Sequence, residues 1–272
     1  MPATPFTDPH FVAESLYSSA TRLTQRTRSL HTAKISGEDA AATIVELAAQ
    51  RVTHPHTICD IGCGRGTTTL RLAADLRPRR LLALDRSQAL LDIAAARTRH
   101  AGHVLTGICA DFHRMPLPSG CLSLAVAAFC LYHSPHPQTA VAEIARCLEP
   151  DGTAVLVTKS ADSYAELDEI IATTGLDTAA ATRPSLYQAF HSGNAARIVS
   201  DSLTVDDIVH QRHEFRFDSL DALAAYVTTS PKYLLPEQLR DPTRLAGELR
   251  RRIPDRPVAA TSTVTYVVAV AP

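Results

Sequence analysis

The most informative stretch of this chain reads Thr57-Ile58-Cys59-Asp60-Ile61-Gly62-Cys63-Gly64-Arg65-Gly66-Thr67. A short apolar run is followed by three glycines at alternate positions and then by a helical pattern. Glycines let a ligand lie directly against the backbone, and the free N–H groups at the start of a helix point toward such a ligand. The stretch therefore predicts a strand, a ligand-binding turn and a helix, as in nucleotide folds. A tight structural turn or a dinucleotide site would produce the same pattern.

The composition limits the class of protein. The 272 residues suffice for one large domain, or for one domain with a cap. The 27 Lys and Arg residues nearly balance the 28 Asp and Glu residues, which disfavours a nucleic-acid partner and an anionic membrane surface. No run reaches transmembrane length, and the N-terminus lacks the charged-then-apolar order of a signal peptide. We therefore expect a cytoplasmic protein without membrane contact.

Cysteine and histidine spacing gives no metal signature. The six cysteines are scattered, with no pair of CxxC motifs, and they stand at positions 59, 63, 109, 121, 130 and 147. His133 and His136 are three residues apart, but no third ligand follows nearby. We expect no metal, and reduced cysteines that pack as small hydrophobic residues.

Two later apolar runs end in aspartates. Leu81–Leu84 is followed by Asp85, about 20 residues past the glycines, where an acidic residue can accept hydrogen bonds from ribose hydroxyls. Residues 103–110 are followed by Asp111, Phe112 and His113. A capping role for Asp85 is less favoured because Ser87 can cap the next helix, whereas Asp111 could be a turn residue. His113 could line the pocket or lie exposed in its loop.

The residues around the first glycine turn resemble those of a known family. Asp60 precedes Gly-x-Gly-x-Gly by two positions, as in motif I of the class I S-adenosylmethionine (SAM) dependent methyltransferases. Residues 115–120 (MPLPSG) are similar to the family's LPF-x-x-G connector, and residues 148–157 (LEPDGTAVLV) to its LKPGG segment. The resemblance extends over residues 36–175. It implies an enzyme that uses SAM and releases S-adenosylhomocysteine.

The same resemblance implies the cofactor site. The glycine turn, including Cys63, would approach the methionine part and the ribose, and Asp60 would act on the amino group or through the geometry of the motif. Asp85 would take the ribose hydroxyls, and Asp111 with Phe112 the adenine. Arg86 and Phe129 would line the same site.

The apolar run Leu122–Leu131 leads into the loop that faces the methyl group and the substrate in this family. His133 in that loop is the candidate general base, although it could only pack on the cofactor. Tyr17 is a second catalytic candidate. Tyr17, His133 and Tyr164 are the candidate substrate contacts, although Tyr164 could also serve only in packing.

Five strands that alternate with helices predict an α/β fold with a doubly wound, mostly parallel Rossmann-like sheet. The resemblance implies seven strands, the last antiparallel. Residues 1–35 are expected to form an N-terminal lid with helices, or a solvated arm. The domain proper would span 36–272, with a small helical cap from insertions at 175–205 and 219–255.

The near-neutral charge and the cap favour a small-molecule acceptor, and family members of this plain type commonly modify secondary metabolites. The family's Asn-Pro-Pro-Tyr motif is replaced by Cys130-Leu131-Tyr132-His133, which disfavours methylation of bases or glutamine. O-, N- and C-methylation stay open, and a monomer or homodimer is expected. One alternative is a SAM-binding regulatory or partner subunit without methyl transfer. Another is an NAD-type Rossmann oxidoreductase, against which the glycine spacing and Asp111 argue.

Overall fold

The computed structural model describes residues 4–8, 20–53 and 55–272. Within these ranges the strands are β1 (Lys34–Ser36), β2 (Thr57–Ile61), β3 (Arg80–Asp85), β4 (Thr106–Cys109), β5 (Leu122–Ala128), β6 (Leu148–Lys159), β7 (Thr204–Phe217) and β8 (Val258–Val270). The helices are α1 (Ala20–Ala33), α2 (Ala40–Ala49), α3 (Thr67–Leu76), α4 (Gln88–His100), α5 (Pro137–Cys147), α6 (Ala165–Thr173), α7 (Ala195–Ser200), α8 (Leu220–Val227) and α9 (Pro242–Arg250).

The strand order in the sheet is β1-β7-β8-β6-β5-β2-β3-β4. Neighbouring strands from β6 to β4 are parallel, and β8 is antiparallel to β6, with Val155 opposite Val268. The predicted doubly wound fold with an antiparallel last strand is confirmed. The short strand β1, which the sequence did not predict, pairs with β7 and brings the number of strands to eight.

The order of the strands indicates where a ligand would bind this sheet. From β2 the chain adds β3 and β4 on one side, then returns to add β5 and β6 on the other. The carboxyl ends of β2 and β5 therefore lie side by side where the order reverses, and open α/β sheets bind ligands at such a point. All five residues of β2 and the first six of β5 are buried, as expected for strands covered on both faces.

The chain divides into two compact units. Unit 1 comprises Met1–Gly37, Ser160–Gln188 and Gln211–Thr263. Unit 2 comprises Glu38–Lys159, Ala189–His210 and Val264–Pro272. Each has its own apolar core. The core of unit 2 is formed by residues such as Ile44, Ile58, Leu72, Leu124, Val155 and Tyr266. Tyr164, Leu167, Phe217, Leu223 and Leu245 are among the core residues of unit 1.

Helix α1 belongs to unit 1 and contacts α8. Its Ala33 is buried in the core of that unit, and Leu30 packs against the same core. In the part of the chain that the structure describes, no helix is both long enough and apolar enough to cross a membrane.

The cysteines differ in part from the expectation. All six are free, and Cys59, Cys63, Cys130 and Cys147 are buried as predicted. Cys121 is only half-buried, and Cys109 is exposed. Cys109 ends β4, which lies at the edge of the sheet and is therefore covered on fewer sides than the central strands.

Candidate functional site

The glycine turn between β2 and α3 has a left-handed backbone. Gly62, Gly64 and Gly66 have φ angles of +65°, +54° and +75°, a region that side chains with a Cβ disfavour. A Cβ at Gly62 would lie 2.5 Å from Cys130 Cβ, and one at Gly66 would lie 2.7 Å from Ala94 Cβ. A Cβ at Gly64 would meet no described heavy atom within 4 Å. Packing thus requires two of the glycines, whereas the third borders open space where a ligand can approach the backbone.

Asp60 lies at the buried end of the same turn. Its side chain accepts a hydrogen bond from Thr69 Oγ1 at 2.5 Å, which ties β2 to the first turn of α3. Burial raises the pKa of Asp60 to about 7, and the charge of Asp85 acts in the same direction, while the Thr69 hydrogen bond partly opposes them. In this structure Asp60 contacts the motif itself and supports its geometry.

Asp85 ends β3 and holds the turn from the other side. Its Oδ2 accepts a hydrogen bond from the Gly64 N–H at 2.9 Å, and its Oδ1 accepts one from the Ser87 N–H at 2.9 Å. Burial raises the pKa of Asp85, although these two N–H bonds act against the rise. Each carboxylate oxygen can accept a further hydrogen bond, so the group can still receive hydroxyls from a ligand beside Gly64.

Asp111 follows β4 and is fixed by its own loop. Its Oδ1 accepts hydrogen bonds from the His113 backbone N–H at 2.9 Å and from His113 Nδ1 at 2.6 Å. Its Oδ2 lies 3.9 Å from Arg86 Nη1, and the side chain is 43% exposed. Burial acts to raise the pKa of Asp111, but the hydrogen bonds and charge of His113 outweigh it and the pKa is lowered.

The loop after β5 completes this edge of unit 2. Phe129 has a left-handed backbone, with φ of +57°, and Lys159 Nζ lies 5.8 Å from the centre of its ring. Cys130 Sγ donates to the Ile61 carbonyl at 3.2 Å, which joins this loop to the end of β2. The strand ends at Ala128, three residues earlier than predicted, and Leu131–His133 form a 3-10 turn instead. His133 is half-buried, with its ring 4.6 Å from that of Tyr132.

Direct contacts therefore connect most of the predicted residues within unit 2. Asp85 bonds the glycine turn, Arg86 approaches Asp111, and Cys130 joins the loop of His133 to β2. Cys63, Phe112 and Phe129 lie on the same loops, and the ring of Phe112 is 4.7 Å from that of His113.

Of the two tyrosines predicted to contact the substrate, the structure describes one. Tyr164 belongs to unit 1, is 4% exposed, and packs its ring against Phe215 and Tyr226. Tyr17 lies outside the described residues.

Sequence reasoning missed three supporting residues. Thr69, Cys130 and Ser134 contact the site through hydrogen bonds that span 9, 69 and 21 positions. Only the Thr69 contact could have been predicted from nearby sequence, because a hydroxyl in the first turn of a helix lies close to the strand that precedes it. The other two contacts depend on β5 lying beside β2 and on the loop after β4.

The amino-acid sequence is similar to known proteins over part of the chain. A family model described as a methyltransferase domain matches residues 58–152. A malonyl-[acyl-carrier protein] O-methyltransferase of Methylovorus is 29% identical over 124 residues, which cover 42% of this chain and 40% of that protein. The chain thus spans less than half the length of this and the other curated relatives that it matches.

Solved structures share the fold across most of the chain. The [4+2]-cyclase SpnF superposes with a TM-score of 0.61 at 16% identity, covering 100% of this chain and 98% of that one. The N-methyltransferase NodS of Bradyrhizobium japonicum, solved with S-adenosylhomocysteine, gives 0.51 at 15% identity and 85% coverage of both chains.

The family match covers the glycine turn, Asp85 and Asp111. It identifies SAM as the cofactor, and the residues present fit that group, since open space at Gly64 adjoins a carboxylate that can accept hydroxyls. Residues 58–152 accordingly form a methyltransferase domain with the Rossmann-like fold of the class I SAM-dependent methyltransferases.

Proposed function

We propose that this protein transfers a methyl group from SAM to a small-molecule acceptor. Bound SAM would supply an electrophilic methyl group on a sulfonium. The protein must then hold the cofactor, orient the acceptor, exclude water and, for some acceptors, remove a proton. The observation that carries the proposal is the open face of Gly64 beside the Asp85 carboxylate.

The chain offers a partner for each polar part of the cofactor. The Gly64 backbone would approach the methionine part, with Cys63 beside it, and Asp85 would accept the ribose hydroxyls. Asp111 Oδ2 would accept the adenine amino group, and Phe112 would pack near the ring. Arg86, 3.9 Å from Asp111 Oδ2, and Phe129 would border the same space.

His133 is the proposed general base. Its backbone N–H donates to the Cys130 carbonyl at 3.0 Å, which supports a fixed position in the loop after β5. A neutral imidazole there could accept a proton from a hydroxyl or amine as the methyl group arrives. His133→Ala should leave S-adenosylhomocysteine affinity nearly unchanged and lower turnover. An equal loss of both would make His133 a cofactor contact.

The acceptor is proposed to be a secondary metabolite or a biosynthetic intermediate. The balanced charge supports a small molecule over a polynucleotide. The relatives named malonyl-[acyl-carrier protein] O-methyltransferases make an acyl group on a carrier protein a second acceptor class to test. Residues 1–35, 175–205 and 219–255 are proposed to choose the acceptor, and Tyr17, which is not described, remains a proposed contact.

Tyr164 is the proposed acceptor contact in unit 1. It lines a small pocket of that unit together with Ser163, Tyr187, Tyr226 and Tyr233. Tyr164→Phe should raise the KM for the acceptor and leave the KM for SAM unchanged. A variant with both constants unchanged would leave Tyr164 a packing residue.

A second candidate function is SAM binding without methyl transfer. The fold is shared with a protein named a [4+2]-cyclase, and a fold alone does not select a reaction. Calorimetry with S-adenosylhomocysteine, and with NADH as the control, tests the cofactor. Incubation with SAM and an acceptor library, read as S-adenosylhomocysteine formed, tests the transfer. Binding without product from any acceptor would favour the second candidate, and binding of NADH alone would reject both.

A further inference from the structure

His113 connects two loops of unit 2. Its Nδ1 lies 2.6 Å from Asp111 Oδ1 in the loop after β4, and its Nε2 lies 2.6 Å from Ser134 Oγ in the loop after β5. The Ser134 Oγ also accepts the His136 backbone N–H at 2.9 Å. One imidazole thus joins the proposed adenine anchor to the loop that carries His133.

The partners define the direction of these hydrogen bonds. A carboxylate oxygen only accepts, so Nδ1 donates to Asp111. In a neutral ring Nε2 then accepts, and the Ser134 hydroxyl donates to it. The result is a continuous chain from the His136 N–H through Ser134 and His113 to Asp111, in which each group makes the bonds it can make.

In serine hydrolases an aspartate, a histidine and a serine are hydrogen-bonded to one another in the same sequence of contacts. Here Ser134 is 0% exposed, and its oxygen already accepts the His136 N–H. A nucleophile must reach its substrate, so this serine is not one. The arrangement is therefore suited to positioning side chains.

Asp111 gains a fixed orientation from His113. Two hydrogen bonds to the same oxygen, Oδ1, hold the carboxylate so that Oδ2 is directed away from His113, on the side of Arg86. Two charge-assisted bonds from one neighbour restrict rotation of the side chain more than one bond would.

We propose that His113 is a positioning residue that presents Asp111 Oδ2 to the adenine amino group and, through Ser134, couples adenine binding to the loop of His133. This rests on the proposed SAM site. His113 would act through two separable hydrogen bonds. The bond from Nδ1 to Asp111, here called the Nδ1 arm, would serve adenine selectivity. The bond between Nε2 and Ser134, here called the Nε2 arm, would keep the loop after β5 ordered.

Three substitutions separate the arms. His113→Asn places an amide nitrogen where Nδ1 lies and leaves Ser134 without its acceptor. His113→Gln extends an amide toward the position of Nε2 and removes the bond to Asp111. Ser134→Ala breaks the Nε2 arm from the other side and leaves the imidazole in place.

The first measurement is calorimetric binding of S-adenosylhomocysteine and of S-inosylhomocysteine, in which oxygen replaces the adenine amino group. The unmodified protein should prefer the former by tenfold or more. His113→Gln should lose most of that preference, whereas His113→Asn and Ser134→Ala should keep it. Equal preference in all four proteins would overturn the assignment of the Nδ1 arm.

The second measurement is hydrogen exchange at the amides of residues 130–137. Addition of S-adenosylhomocysteine should slow exchange there in the unmodified protein, and the slowing should be several-fold weaker in Ser134→Ala and His113→Asn. Unchanged slowing in both variants would overturn the coupling. If His113→Gln fails to fold, His113→Phe, which keeps a ring and removes both arms, replaces it in the first measurement.

Failure of the underlying function gives a different result. If the unmodified protein binds neither nucleoside, the SAM site is wrong. If it binds and discriminates but the variants behave like it, only the role of His113 is wrong.

Discussion

At the scale of single residues, Asp85 holds two backbone segments with one carboxylate. It accepts hydrogen bonds from the Gly64 and Ser87 N–H groups and can still accept the ribose hydroxyls that we propose for it. Asp85→Ala should therefore weaken S-adenosylhomocysteine binding by about 3 kcal/mol or more, the worth of two hydrogen bonds to a charged group. Calorimetry measures the change. Asp75→Ala, which removes an exposed carboxylate paired with Arg71, is the control, and an equal affinity in both variants would contradict the assignment.

Burial makes the contribution of Asp60 to the free energy of unfolding depend on pH. Its pKa is about 7 in the folded protein, against an ordinary value of 3.8, so between these values the folded state binds a proton that the unfolded chain releases. The free energy of unfolding contributed by this group is therefore highest below pH 4, falls as pH rises to 7, and is constant above. The full span corresponds to about 4 kcal/mol.

Asp60→Asn tests this dependence because asparagine cannot ionise, yet its oxygen can still accept the Thr69 hydroxyl. Urea unfolding at pH 4.5, 6 and 7.5 should show the variant gaining stability over the unmodified protein as pH rises. A difference between the two proteins that is the same at all three pH values would contradict the raised pKa of Asp60.

At the scale of elements, the glycine turn between β2 and α3 serves packing and is the proposed binding site of the cofactor. Gly66→Ala brings a Cβ to 2.7 Å from Ala94 Cβ, so we expect a loss of about 1–3 kcal/mol in unfolding free energy. Gly64→Ala adds only the left-handed backbone strain, about 1 kcal/mol, but fills space where the cofactor would lie. Unfolding and calorimetry on both variants should show mainly a stability loss at Gly66 and mainly an affinity loss at Gly64.

That pair of variants is its own control, since both convert a glycine with positive φ into alanine in one turn. If Gly64→Ala binds S-adenosylhomocysteine as well as the unmodified protein does, the open face beside Gly64 does not receive the cofactor.

At the scale of the whole molecule, each unit is stabilised by residues distant in sequence. In unit 1, Lys232 Nζ lies 2.7 Å from Asp168 Oδ2, with both side chains nearly buried, and the Tyr233 hydroxyl donates to Asp168 Oδ1 at 3.0 Å. Lys232→Met leaves a buried carboxylate without its cation and should cost about 3 kcal/mol in unfolding free energy. The measurement is urea unfolding followed by tyrosine fluorescence.

The matched comparison is the double variant Lys232→Met with Asp168→Asn. The amide carries no charge and can still accept the Tyr233 hydroxyl, so the double variant should recover part of the loss. A double variant less stable than Lys232→Met alone would mean that the uncompensated charge is not the source of the cost.

The sequence by itself determined the local parts of this protein. The strand, glycine turn and helix around Gly64, the cap of α4 at Ser87, and the aspartates that follow β3 and β4 all rest on spacing within a few residues. Apolar runs and turn residues carry this information because backbone conformation depends mainly on near neighbours. The parallel α/β fold followed from the alternation of those elements.

Only the tertiary structure decided which distant residues meet. It placed Cys130 against Gly62, set His113 between Asp111 and Ser134, and buried Tyr164 among the aromatic residues of unit 1. The same is true of β1, whose three residues have a partner only because β7 lies beside them. The physical reason is that spacing along a chain defines contacts over one or two turns, whereas contacts across many residues depend on strand order and on the packing of side chains between elements.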